Sequence, residues 1–345
     1  MDETAITTPV SKRANRDDAI RAFLAEFAPG GDQAVLADMM TTICRLAGDG
    51  CDRGDLKLLN HTAKELRYAF KVFAPYNHIR KVSIFGSART PEDHPEYKQA
   101  AEFARRMGEN AWMVITGAGD GIMGAGHGGA GREASFGVAI RLPFEQETNV
   151  VIANDAKLVN FKYFFTRKVI FLKEAEAIAL FPGGYGTLDE GFEALTMIQT
   201  GKAPIVPIVM LDAPGGTYWQ HWRTYVMAEL LRTEMIDPED MSLFKITDNV
   251  DAAIEEILGF YRRFHSSRYV RDTLVLRLTE SLSAGKIEQL NNKFADLLIS
   301  GKIEQSSSPI AGEADEHPRL PRLVLNFDRK RHGRLRQMIN AINAD

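Results

Sequence analysis

Residues 179–193 read ALFPGGYGTLDEGFE, from Ala179 to Glu193, and join a strand end, a glycine turn and a helix start. Ala175 to Phe181 is a short apolar run of strand character. Pro182 removes a backbone donor and ends the pairing. Gly183, Gly184 and Gly186 give a loop whose backbone can approach a ligand closely. The helix is expected to begin at Thr187, so its free N–H groups and positive dipole end face the loop mouth. Such a strand–turn–helix junction is a site for an anion, most often phosphate. The same letters allow a plainer reading. Thr187-Leu188-Asp189-Glu190 is an S/T-x-x-E capping box, in which Glu190 would only reach back to the cap.

The chain has 345 residues, enough for a full-sized core and more than one domain. Its 45% hydrophobic and 26% charged content is that of a globular protein. A net charge of -4 supplies no global attraction to nucleic acid or anionic membrane. No apolar run reaches the roughly 18 residues of a membrane span, and the polar N-terminus has no signal-peptide core. Cys44 and Cys51 are too far apart for a C-x-x-C motif and too few for a disulfide scaffold. A cytoplasmic protein with free thiols is the simplest expectation.

Residues 1–15 are polar and aperiodic, and are expected to be a disordered tail. Residues 16–78 read as a helical N-terminal region. Ile20, Phe23, Leu24 and Phe27 recur at helical spacing, as do Val35, Met39, Ile43 and Leu46, then Leu58, Leu59, Leu66, Phe70 and Phe73. These stripes are expected to be core or oligomer contacts. From Lys81 strands and helices alternate without hairpin signals. Strands are predicted at 82–85, 112–116, 137–140, 175–181 and 205–211, which implies an α/β, doubly wound parallel sheet. Ligands on such sheets bind outside the carboxyl ends of the strands. Gly86-Ser87, Gly117 to Gly124 and Pro182 to Thr187 all fall at such ends, so three turns converge on one crevice. Residues 263–345 read as a small α/β C-terminal module of strand–helix–strand–helix order, with a helix over 283–299 and a polar linker, SSSPIAGEADEHP, after it. The basic run Arg329 to Arg336 is read as a solvated helix face, with phosphate or nucleic acid as the rival use.

Gly119-Asp120-Gly121-Ile122-Met123-Gly124 fits the dinucleotide fingerprint G-x-G-x-x-G. It follows the second strand, however, and Glu145, the acidic residue at a plausible distance, lies in a polar loop. Close approach of backbone to some other ligand is the preferred reading of these glycines. Glu190 is one turn beyond Thr187 on the same face, where the helix dipole is expected to keep it ionised. There it could activate a water or stabilise a cationic sugar. Asp189 is expected to cap or face solvent, and Glu193 to lie deeper on the Glu190 face. Arg167-Lys168 could neutralise a phosphate or support a leaving base.

PGGYGTLDE at 182–190, FGSAR at 85–89, TGAGDGIMGAGHGGA at 116–130 and FFTRK at 164–168 together resemble the motif set of the Lonely Guy (LOG) family. The resemblance spans about residues 80–260, and implies a Rossmann-like LOG domain over 79–262. It implies a nucleoside 5′-monophosphate N-glycosidase that releases free base, adenine or cytokinin-like, and ribose 5-phosphate. By motif, Arg167 and Glu190 match the catalytic arginine and glutamate. Gly183, Gly184, Tyr185, Gly186 and Thr187 match the phosphate cradle. Ser87, Gly117, Gly119, Gly121, Met123 and Lys168 complete the implied substrate site. No metal or organic cofactor is implied, and at least a homodimer is. Phe165-Thr166 stands where the short family form has His-Glu, which leaves the preferred base open. The family has also carried a lysine decarboxylase label, but no motif here supports the lysine-bound pyridoxal phosphate of that chemistry. The rival outside enzymology is a non-catalytic nucleotide sensor or carrier of the same fold.

Overall fold

The computed structural model describes residues 9–140, 148–313 and 317–344. The chain divides into two compact units, Met1–Lys64 and Glu65–Asp345. The first contains α1 (Pro9–Phe27), α2 (Gln33–Leu46) and the start of α3 (Arg53–Phe73). α1 begins at Pro9, well ahead of the point at which helical periodicity becomes readable. Asp32 caps α2 by accepting from the N–H groups of Ala34 and Val35. Ile20 and Leu24 are buried, but Phe23, Phe27, Val35, Met39 and Ile43 are all at least half exposed. Most of these stripes are therefore not core within this chain, contrary to the first of the two expectations for them.

In the second unit the chain runs through β1 (Lys81–Phe85), α4 (Pro95–Glu109), β2 (Met113–Thr116), α5 (Ile122–Ala130), β3 (Ser135–Ile140) and β4 (Leu158–Phe161). It continues through α6 (Phe164–Lys173), β5 (Ala177–Leu180), α7 (Tyr185–Gln199), β6 (Ile208–Leu211), α8 (Tyr218–Tyr225), β7 (Phe244–Thr247) and α9 (Val250–Phe260). The seven strands form one parallel sheet in the order β4-β3-β2-β1-β5-β6-β7. Every residue of β1, β2, β5 and β6 is buried, as parallel strands covered on both faces require. β4 and β7 are additions to the sequence-based expectation. They are the two edge strands, only partly buried, and so lack the continuous apolar run of the centre. The order reverses between β1 and β5. A doubly wound sheet opens its ligand crevice at such a point.

The C-terminal residues build a second, antiparallel sheet, ordered β10-β11-β9-β8. Its elements are β8 (Phe264–Val270), β9 (Thr273–Leu278), α10 (Ala284–Phe294), β10 (Leu298–Ser306), β11 (Arg322–Phe327) and α11 (His332–Asn343). Four strands replace the two expected. The helix expected to reach residue 299 stops at Phe294, and β10 takes over its last residues. Within the supposed linker, the Glu313 side chain is fully buried, 2.8 Å from Arg277 and 3.2 Å from Arg322. The basic run is not a solvated face either. His332, Leu335 and Arg336 are buried, while Arg331 and Arg334 pair with Asp296, and Arg336 with Glu256.

No described helix is long and apolar enough to cross a membrane.

Candidate active site

The turns after β1, β2 and β5 meet around a crevice of about 670 Å³. Gly86, Ser87, Ala88 and Arg89 line it from the first turn, and Gly117 and Met123 from the second. The third contributes Gly184 to Thr187 and, one turn into α7, Glu190. Arg167 enters from α6, and Ile140, Phe164 and Phe171 supply an apolar wall.

Ser87 ties the three turns together through its backbone. Its N–H donates to the Pro182 carbonyl at 3.1 Å, and its carbonyl accepts from the Ile122 N–H at 3.0 Å. Gly121, with φ of 61°, lies so close that a Cβ there would collide with the Ser87 carbonyl oxygen. Its role is to let two loops touch, so the G-x-G-x-x-G pattern is used here for loop packing. Glu145, the acidic residue weighed with that pattern, lies outside the described residues.

α7 starts two residues earlier than expected. Gly184 is its N-cap, with no side-chain cap, and the Thr187 and Leu188 N–H groups donate to the Gly184 carbonyl at 3.1 and 3.2 Å. Thr187 is thus inside the first turn, and the capping box does not form. The Tyr185 and Gly186 N–H groups have no acceptor among the described residues. The three glycines of this turn differ. A Cβ on Gly183 would collide with Thr187 and stand 3.0 Å from the Ser87 nitrogen, whereas Gly184 and Gly186 would meet nothing within 4 Å. Neither of those two takes a positive φ. Open space and free N–H groups at a helix start are the features that anion binding uses.

Glu190, freed from capping, points to α6. Its Oε1 lies 3.9 Å from Arg167 and its Oε2 3.6 Å from Lys168. Burial raises the Glu190 carboxyl above its ordinary range, and the charges of Lys168 and Arg167 oppose that rise. Burial, not the helix dipole, is the largest influence on this carboxyl, because dipole effects fade beyond the first turn. The Arg167 guanidinium sits over the Phe164 and Phe171 rings at 5.0 and 5.6 Å, and its Nε is buried without a partner. Burial pulls Arg167 down from its usual value, against Glu190 and Asp189. Lys168 is a hub for three carboxylates: Asp189 at 2.8 Å, Glu193 at 2.6 Å and Glu190. Burial works to lower it, but the hydrogen bonds it donates to Asp189 and Glu193 and the charge of Glu190 prevail and raise it.

Ser87, Gly117, Met123, Arg167, Gly184, Tyr185, Gly186, Thr187 and Glu190 line the crevice. Lys168 stands behind Glu190, and Gly121 backs the Ser87 loop. Gly183 lines a smaller neighbouring cleft with Arg89 and His94. Gly119 offers its carbonyl to the Asn149 amide at 2.9 Å. That contact belongs to a buried cluster which sequence reading missed. His127 approaches the Phe136 carbonyl at 3.0 Å and Thr116 Oγ1 at 3.1 Å, while its Nδ1 faces Asn149. The cluster anchors the 117–121 turn from below, and Thr116 Oγ1 accepts from the Ala118 N–H. The one signal in the sequence was a histidine inside a glycine-rich helix.

Residues 121–257 match a family model described as possible lysine decarboxylase. Over 172 residues, 48% of this chain, the sequence is 29% identical to the cytokinin riboside 5′-monophosphate phosphoribohydrolase of Mycobacterium tuberculosis, covering 88% of that protein. Both matches support the resemblance of the α/β domain to the Lonely Guy family. Among solved structures, the chain is similar to a molybdenum cofactor carrier protein from Chlamydomonas reinhardtii at 17% identity, with a TM-score of 0.36, over 52% of this chain and 99% of that one. A molybdenum cofactor binding protein from Rippkaea orientalis matches at 16% identity, with a TM-score of 0.37, over 52% and 95% of the two chains. At such scores these two likenesses carry no argument about function.

Proposed function

We propose that the crevice hydrolyses the N-glycosidic bond of a nucleoside 5′-monophosphate, releasing a free base, adenine or cytokinin-like, and ribose 5-phosphate. The observation that carries this reading is an open anion cradle at the start of α7 with a buried, basic carboxylate one turn further on. The 5′-phosphate accepts the free N–H groups of Tyr185 and Gly186. The ribose lies toward Glu190, and the base against Met123, Ile140 and Phe164. Water adds to C1′ as the C1′–N bond breaks with its electron pair going to the base, through an oxocarbenium-like state. Glu190 orients the water and takes its proton, for which a raised pKa is suited. Arg167 supports charge on the phosphate or base; the departing base takes a proton from solvent and Glu190 returns its own to solvent, so the net change is OH to C1′ and H to the base. The residues named perform each step without a metal or organic cofactor. The relative from Mycobacterium tuberculosis, by its name, catalyses a reaction of this kind. The half-exposed Phe164, Phe165 and Val169 of α6 fit a homo-oligomer, which light scattering would size.

Purified protein incubated with AMP, other purine and pyrimidine monophosphates and isopentenyladenosine monophosphate is expected to yield free base and ribose 5-phosphate on chromatography. Glu190→Gln is expected to lower that rate by about 10²- to 10⁴-fold with folding intact. Tight nucleotide binding with no base released from any of them would make the crevice a carrier or sensor site instead.

A further inference from the structure

A second cavity, of about 520 Å³, opens at the opposite end of β5 from the crevice, between α6, α7 and the start of β8. Ile178, Ile198, Ile205, Tyr261 and Phe264, all buried, form its apolar interior. Small-molecule sites have this size and character, a mostly apolar hollow with a few polar groups that fix orientation.

Beside the hydroxyls of Tyr261, Ser266 and Ser267, the charged and imidazole side chains here are Lys173, Glu176, Glu193, Lys202 and His265. Four of them are already answered by protein. Glu176 accepts the Lys81 N–H at 2.8 Å, and Glu193 holds Lys168 at 2.6 Å. Lys173 pairs with Glu174 at 2.6 Å and lies 4.9 Å above the Phe70 ring. His265 packs its ring on His317, with 4.6 Å between centroids, and contacts Ser266 Oγ at 3.0 Å. Burial pushes His265 down to about 4, with His317, Arg80 and Arg277 acting in the same sense, so it is neutral at neutral pH. Lys202, exposed at the rim, has no carboxylate partner among the described residues. An apolar hollow with aromatic walls therefore presents one unanswered positive charge.

We propose that this cavity is a second small-molecule site, separate from the crevice, that takes an aromatic monoanion: a flat apolar body inside and one carboxylate, sulfonate or phosphate group at Lys202. The site does not depend on the reaction assigned to the crevice. Opposite charge on a partly exposed pair is worth a modest but measurable share of affinity, and the apolar body supplies the rest.

The test is a fluorescence titration of the whole chain with 8-anilinonaphthalene-1-sulfonate, alongside N-phenyl-1-naphthylamine, which is the same body without the sulfonate. One sulfonate dye is expected per chain, saturably, and saturating AMP leaves it in place. The neutral dye is expected to bind about threefold to fivefold more weakly, roughly the effect of one such charge contact. Lys202→Glu, a surface change that leaves the fold alone, is expected to weaken the sulfonate dye at least tenfold and to leave the neutral dye within twofold. Met197→Trp, which fills the hollow, is expected to weaken both. Absence of saturable binding, displacement by AMP, or equal binding of the sulfonate dye to wild type and Lys202→Glu would each overturn the proposal.

Discussion

The turn after β2 and the turn after β5 are both rich in glycine, for opposite reasons. In the first, Gly121 takes a left-handed φ and lies against the Ser87 carbonyl, so any side chain would collide with backbone that cannot move away. In the second, Gly184 and Gly186 take ordinary φ values and face empty space. The protein itself has no steric need for glycine at those two positions. Their smallness leaves room for something that is not protein, beside N–H groups with no internal acceptor. One set of glycines builds the crevice and the other keeps it open.

Gly184→Asp separates the two roles most sharply. A carboxylate at the proposed phosphate position should cost several kcal/mol of binding, a loss of about a hundredfold or more in AMP affinity by calorimetry. Folding should be unharmed or slightly improved, because an acidic residue suits a helix N-terminus. Unchanged AMP affinity would break the comparison. Gly121→Ala should do the reverse, lowering stability in urea by about 1–3 kcal/mol through overpacking and backbone strain. A stability equal to that of the wild type would show that the two loops can part. The mildest effect concerns acid. Burial raises Glu190, and only its ionised form can take a proton from water. Base release should therefore fall as pH drops through a value above that of an ordinary carboxylate, with kcat/KM reporting the free enzyme. A rate that stays flat down to the range of exposed glutamates would remove Glu190 from the role of base.

The central sheet was legible because strands buried on both faces are written as unbroken apolar runs, and the turns between them as glycines. The edge strands β4 and β7 were not, since Leu158–Phe161 and Phe244–Thr247 mix exposed and buried positions. The second sheet was the least legible. Phe264–Val270 and Leu298–Ser306 are largely polar and half covered, and Glu313 sits in a stretch that reads as linker while being held by two arginines. The Arg167 and Glu190 pair was reached through motif resemblance, since nothing in local spacing says that α6 and α7 face each other. Lys168 reads as a neighbour of Arg167, yet tertiary packing turns it to the far side of Glu190 among three acids. The start of α7 was misplaced because threonine is the better cap by preference, while in the structure the Ser87 N–H ties down the Pro182 carbonyl and Gly184 takes the cap position.

Ser87 joins the three turns by its main chain and leaves its side chain nearly free of the task. Substitution at this position should therefore leave folding intact, with any effect confined to the crevice that Ser87 lines, while a one-residue insertion or deletion in any of the three turns should not. The turns are inherited as a set. Variation in what the crevice accepts has to come from Met123, Ile140 and Phe164, the wall residues that carry none of the joints, and a designer seeking a new base preference should begin with those three.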